Sequence, residues 1–142
     1  MIILTGGAGF IGTNMLTALN EMGEEDILIV DNIGPTEKWK NLVDKKYREY
    51  THKNQLWSWL ENHQEVEVSF VIHLGACTNT METDFDYLYT NNVVYSQKIW
   101  QFCTEREIPL IYASSAATYG DGSMGFSDDE IKIKDLKPIN QY

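Results

Sequence analysis

The amino-acid sequence predicts an α/β chain built on a doubly wound parallel sheet, and three observations lead there. Short apolar runs recur along the 142 residues, with helical spacing in the intervals between them. One run, Ile27-Leu28-Ile29-Val30, is apolar without alternation, as a strand covered on both faces requires. The first run, Ile2-Ile3-Leu4, breaks into Thr5-Gly6-Gly7-Ala8-Gly9-Phe10-Ile11-Gly12, a strand that turns on glycines into a helix. Right-handed crossovers set such strands parallel, and ligands then sit beyond their carboxyl ends.

After the glycine turn, Ile11, Met15, Leu19 and Met22 recur at helical spacing, and Gly23 stands where that helix should stop. The run Ile27–Val30 follows and stops at Asp31-Asn32. Residues 33–46 are polar and carry Gly34 and Pro35, which predicts a loop holding one helical turn. A third strand is expected over Tyr47–Thr51 and a short helix around Leu56–Leu60. Ser69-Phe70-Val71-Ile72-His73-Leu74 is the next strand, ending in Gly75-Ala76-Cys77-Thr78. A long helix is expected from about Asp84 to Arg106, then a last strand, Pro109–Ala113, ending in Ser114-Ser115. Residues 121–141 form an irregular stretch, acidic and then basic; the chain carries no repeats.

One domain accounts for a chain of this length. Hydrophobic residues at 43% and charged residues at 23% are the balance of an ordinary globule. Eleven basic against 21 acidic side chains leave a net charge of −10, which repels a phosphate backbone and argues against a nucleic-acid partner. No apolar run approaches membrane-spanning length. The N-terminus lacks the charged-then-apolar pattern of a signal peptide. Cys77 and Cys103 stand in apolar contexts without metal-ligand spacing, so no metal and a reducing, cytoplasmic compartment are expected.

The strand–glycine–helix turn is the cradle a dinucleotide's pyrophosphate needs. Gly6 allows the tight turn, Gly9 close backbone approach to phosphate, and Gly12 helix–strand packing, while N–H groups at the helix start face the anion. The triplet alone is as often an ordinary turn; the strand before it, the helix after it and an acid at the next strand end supply the context. That acid is Asp31, 19 residues past Gly12, where a carboxylate accepts from the adenosine ribose hydroxyls. Otherwise it is a solvated loop aspartate. A carboxylate there repels a 2′-phosphate and by itself favours NAD. Lys38 and Lys53 lie within loop reach, either to neutralise such a phosphate or as two surface lysines.

Leu88, Asn91, Tyr95, Ile99 and Phe102 step by three or four, which puts the Asn91 amide on an apolar stripe. There it needs partners, in the backbone or on the cofactor. Cys77 has no general base visibly placed for it and reads as a small, half-buried hydrophobe. His73 reads as structural, and Trp57 and Trp59 as packing of a core or domain edge. Ser114-Ser115 ends a strand expected beside the cofactor strand, where a hydroxyl can hold a substrate oxygen or cap a turn. Nothing local argues for Tyr142. A phenol titrates near about 10, so base chemistry needs a neighbouring cation.

Three segments carry a family likeness: Thr5 to Gly12, Asp31-Asn32, and Tyr112-Ala113-Ser114-Ser115-Ala116-Ala117-Thr118-Tyr119-Gly120. They resemble the extended short-chain dehydrogenase/reductase superfamily of nucleotide-sugar epimerases and dehydratases, Rossmann-like in fold. Lys40-Asn41-Leu42-Val43-Asp44, Gly75-Ala76-Cys77-Thr78, Arg106-Glu107-Ile108-Pro109 and Lys137-Pro138-Ile139-Asn140-Gln141-Tyr142 are similar, more narrowly, to its ADP-heptose 6-epimerase family. The resemblance implies that Phe10, Ile11, Asp31, Asn32, Lys38, Lys53, Leu74, Gly75, Ala76, Cys77, Thr78 and Asn91 hold NADP, which reverses the preference Asp31 suggests alone. Leu74 departs from the acidic residue expected there, though a backbone contact survives the change. It implies Ser115 as the substrate-hydroxyl serine and Tyr142 as the catalytic tyrosine of Tyr-x-x-x-Lys.

The reaction implied is a redox epimerisation at C-6″ of an ADP-heptose, for the heptose of the lipopolysaccharide inner core. A tyrosinate with Ser115 takes the hydroxyl proton while hydride passes to NADP⁺. The transient ketone then turns over and receives the hydride on its other face. Homo-oligomers of the whole enzyme are implied as well. Relatives continue into the tyrosine helix and a substrate domain, so residues 1–142 are expected to be a cofactor domain, inactive by itself and poorly folded at its open sheet edge. A nucleotide-sugar 4-epimerase or 4,6-dehydratase remains an alternative, as does a non-catalytic dinucleotide-binding module.

Overall fold

Apolar runs of four or five residues, each stopped by a turn, leave short strands. In the computed structural model, which describes residues 1–139, these are β1 (Ile2–Thr5), β2 (Ile27–Asp31), β3 (Glu49–His52), β4 (Phe70–His73) and β5 (Leu110–Tyr112). They form one sheet in the order β3-β2-β1-β4-β5, every neighbouring pair parallel. Leu4 aligns with Ile29 on one side and Ile72 on the other. The chain winds outward from β1 through β2 to β3, then crosses back to β4, so the strand order reverses between β1 and β4. This is the Rossmann-like doubly wound arrangement, with its switch point at those two carboxyl ends.

Period-two alternation divides the buried side chains between two layers. Ile3, Leu28, Val30 and Val71 face one side and meet Leu56 and Trp59 of α2 (Leu56–Asn62) and Ile99, Phe102 and Cys103 of α4 (Tyr95–Glu105). Leu4, Ile27, Ile29 and Ile72 face the other and meet Leu16 and Leu19 of α1 (Phe10–Glu21), with Leu42. All of β2 is buried, as its unbroken apolar run requires. At the edge the pattern fails: Ile111 and Tyr112 of β5 are half exposed.

Most expected elements are present with shifted bounds. The loop over 33–46 holds a 3₁₀ turn, Glu37–Leu42, started by the Thr36 hydroxyl accepting from Lys38 N–H. The third strand begins two residues later than expected, at Glu49. The long helix is interrupted: α3 (Phe85–Leu88), capped by Asp84, passes through a π-turn at Tyr89–Val94 before α4 begins. A π-turn inserts a residue and re-aims the side chains beyond it. Among its described residues the irregular stretch carries one short helix, α5 (Glu130–Ile133).

Candidate functional site

The turn after β1 is built to bring backbone close to backbone. Gly6 has φ +70°, and a Cβ there would come within 2.8 Å of Gly75 N. At Gly12 a Cβ would lie 2.1 Å from the Gly6 carbonyl oxygen, so α1 can seat against the turn only without one. Gly9 caps α1 without a side-chain hydrogen bond, and the first helical bond is Thr13 N–H to Gly9 O at 2.9 Å. The N–H groups of Phe10, Ile11 and Gly12 precede that bond and have no carbonyl within the helix. No acidic residue occupies the first turn of α1 to offset its positive end.

These donors open onto a cleft of about 530 Å³ at the carboxyl ends of the strands. Gly6, Gly9, Phe10, Ile11 and Gly12 form its floor; Asp31, Asn32, Lys38 and Lys53 line it from the chain after β2 and β3, Leu74, Gly75, Ala76 and Thr78 from the chain after β4, and Asn91 meets Lys53. Asp31 is buried rather than solvated. Its Oδ2 accepts from Ala8 N–H at 2.9 Å, and its Oδ1 accepts from Asn32 N–H at 2.7 Å and from Lys38 Nζ at 2.5 Å. The carboxylate thus braces the glycine turn and is neutralised by a lysine. Lys53 donates to Asn91 Oδ1 and lies 5.6 Å from the centre of the Tyr87 ring. Burial draws its ammonium below the ordinary lysine value.

Cys77 is half-buried and does not line the cleft. Its backbone is gripped by Asn92, whose Oδ1 accepts from Cys77 N–H at 2.8 Å and whose Nδ2 donates to Cys77 O at 3.1 Å. Asn91 Nδ2 donates to the same Oδ1 at 2.8 Å. The amide of Asn91 is half-buried on the cleft, not sealed in the apolar stripe; within the π-turn Asn91 meets Lys53 after β3, while Asn92 meets Cys77 after β4. Helical stepping has no means of finding Asn92. Thr5, Tyr87 and Tyr95 also line the cleft without having been singled out; Thr5, a hydroxyl at the strand end beside the glycines, was the one legible candidate.

His73 is buried and held at both nitrogens, by Thr5 and Ser96, which fits its structural reading. Trp59 is core and Trp57 packs edge-on to Phe102. Ser115 does not line the cleft; its Oγ accepts from Ala117 N–H at 3.1 Å and caps a 3₁₀ turn, Ala116–Tyr119. The expectation for Tyr142 lies outside the described residues. Among the described residues no group of side chains could hold a metal ion, and no helix is long and apolar enough to cross a membrane.

A strand–glycine–helix turn at the switch point of a parallel sheet defines a nucleotide-binding α/β protein. A family model for the NAD dependent epimerase/dehydratase family matches residues 2–142, and the chain belongs to that family. It is 50% identical over 143 residues to the ADP-L-glycero-D-manno-heptose-6-epimerase of Nitratidesulfovibrio vulgaris, covering all of this chain and 44% of that protein. The enzyme of the same name from Fusobacterium nucleatum is 48% identical over 147 residues, again with 44% of its length matched. This chain therefore spans less than half the length of the curated relatives it matches. Among solved structures, UDP-glucuronic acid 4-epimerase from Bacillus cereus in complex with NAD superposes with a TM-score of 0.75 at 26% identity, over 99% of this chain and 46% of that one.

Proposed function

We propose that this chain is the dinucleotide domain of an NADP-dependent ADP-heptose 6-epimerase, which interconverts the D-glycero and L-glycero forms of ADP-β-D-manno-heptose. The observation that carries the dinucleotide is the cleft floor, where the open N–H groups of Phe10, Ile11 and Gly12 meet a turn that no Cβ could enter at Gly12. A diphosphate fits that donor set. Identity of half the residues with enzymes named for the heptose supports the sugar.

NADP is favoured over NAD by the state of Asp31. Its charge is met by Lys38 at 2.5 Å, so a 2′-phosphate near the β2 end would face a neutral pair rather than a bare carboxylate. Asn32 and Lys53 line the same cleft and can donate hydrogen bonds into it. The backbone from Leu74 to Thr78, with Cys77 fixed by Asn92, would hold the middle of the molecule together with Asn91. The nicotinamide, when bound, supplies a hydride acceptor that later returns the hydride. Ser115 would hold the oxygen of the C-6″ hydroxyl, and Tyr142, as phenolate, would take and return its proton. Association of whole protomers into a homo-oligomer belongs to the same reading.

Titration of the chain with NADPH and NADH, followed by energy transfer from tryptophan, tests this. NADPH should bind at least about tenfold tighter, roughly 1.4 kcal/mol, and Lys38→Ala should erase the preference. Equal or tighter binding of NADH would overturn NADP, and no saturable signal from either would overturn the dinucleotide itself. Turnover is proposed for a protein of the relatives' length. ADP-heptose incubated with that protein should give the C-6″ epimer, where UDP-galactose gives no product.

A further inference from the structure

A line of hydrogen bonds crosses the molecule from the glycine turn to the π-turn, and its hydrogens can be placed by elimination. Ser96 Oγ lies 2.6 Å from the carbonyl oxygen of Asn92, which can only accept, so the one hydroxyl hydrogen points there. Ser96 Oγ must then accept from His73 Nε2 at 2.8 Å, which makes Nε2 the protonated nitrogen. In a neutral imidazole Nδ1 is the acceptor, and it takes the Thr5 hydroxyl hydrogen at 2.6 Å. Thr5 Oγ1 in turn accepts from Gly75 N–H at 3.0 Å. Each donor has one acceptor, and the line reads in a single direction from Gly75 through Thr5, His73 and Ser96 to Asn92.

One end of this line, Gly75, lines the cleft, and the other, Asn92, is the sequence neighbour of the cleft residue Asn91. Gly75 forms the cleft wall beyond β4, where a Cβ would stand 3.0 Å from Thr5 Oγ1 and 3.1 Å from Gly6 N. Asn92 lies beside Asn91 in the π-turn and holds Cys77 by both backbone groups. We propose that His73, as the neutral Nε2–H tautomer, is a positioning residue that locks the Thr5–Gly75 wall to the asparagine-bearing π-turn and so sets the width of the cleft. This role rests on the reading of the cleft as a dinucleotide site.

A second proton on the ring would break the order. Thr5 Oγ1 would then accept from both Gly75 N–H and Nδ1–H, and its own hydrogen would lose its partner. Burial opposes the charge as well and pushes the imidazole down to about 4. The rings packed on His73 are Tyr95 of α4 and Tyr112 of β5, with centroids 6.0 and 5.7 Å away. Burial raises the Tyr95 phenol, so it stays neutral as well.

Nitrogen-resolved imidazole spectra of the 142-residue chain at pH 7 test the tautomer without any ligand. The expected result is one His73 signal set with Nε2 protonated and Nδ1 bare; a protonated Nδ1 or a tautomer mixture overturns the proposal. NADPH titration of Ser96→Ala and Ser96→Thr then tests the positioning. Alanine is a good helix former at this half-buried site, so the fold should persist. Ser96→Ala should bind NADPH about five- to tenfold more weakly, consistent with a buried donor left unpaired, and Ser96→Thr should recover to within about twofold. Wild-type affinity in Ser96→Ala would overturn the role of His73 alone. No NADPH or NADH binding by the wild type would overturn the functional reading and this role with it, while the spectra would still assign the tautomer.

Discussion

Two concavities among the described residues differ in kind, and the larger is the less organised. A groove of about 840 Å³ runs between α2 and α4 beside the amino ends of β4 and β5. Its polar side chains come from α2, α4 and the stretch before β4, and they pair with near neighbours in sequence: Gln101 with Glu105, Gln64 with the Glu61 carbonyl and His63 with the Trp59 carbonyl. The cleft at the carboxyl ends measures about 530 Å³, yet backbone donors, a neutralised carboxylate and two asparagines far apart in sequence, Asn32 and Asn91, converge there. Strand direction explains the contrast. In a parallel sheet the carboxyl ends at the switch point splay apart and leave room for loops and a helix N-terminus, whereas the amino ends receive chain already committed to packing. Convergence of fixed polar groups, more than volume, marks the site.

The sharpest way to break this contrast is Gly12→Ala. The new methyl would sit 2.1 Å from Gly6 O, so α1 must move off the turn. Dinucleotide affinity should fall by about 100-fold, and overpacking of this kind costs about 1–3 kcal/mol of fold stability. Retained affinity by titration would remove the turn from the site.

Acid should loosen the cleft before the groove, through His73. Its folded value, about 4, lies below the usual 6.5 of an unfolded histidine, so the unfolded chain binds more protons between those limits. The stabilisation is complete above about pH 6.5 and is lost as pH falls toward about 4, with about 2 kcal/mol gone by pH 5. Denaturant unfolding at pH 7 and pH 5, in wild type and His73→Asn, should show this slope in the wild type alone. The smallest effect belongs to the groove. Arg106 stacks 4.5 Å from the Phe102 ring centre, so Arg106→Ala should cost about 0.5–1 kcal/mol of stability and leave NADPH affinity within about twofold.

The elements nearest the sheet centre were the most legible. β1, β2 and β4 lie within a residue or two of their expected bounds, because continuous burial demands apolar residues without interruption. β3, an edge strand with only Thr51 buried, began at Glu49 rather than Tyr47. The break in the long helix was invisible, since residues 89–94 contain no glycine or proline to announce it. Of the candidate cofactor residues, all but Cys77 line the cleft, an agreement in placement that leaves their ligand roles to the titrations above. Ser115 caps a turn in this structure, and its substrate role stays with the proposal above.

Local chemistry alone was enough to announce the winding of the sheet and the place of its cleft. Glycine spacing, unbroken apolar runs and abrupt polar stops act over a handful of neighbouring residues and are written in order along the chain. The partners of Asp31, the tautomer of His73 and the pairing of Lys53 with Asn91 could not be read that way. Each joins side chains from different elements, and only the register of β1 against β2 and β4, with the residue inserted at the π-turn, determines which atoms meet.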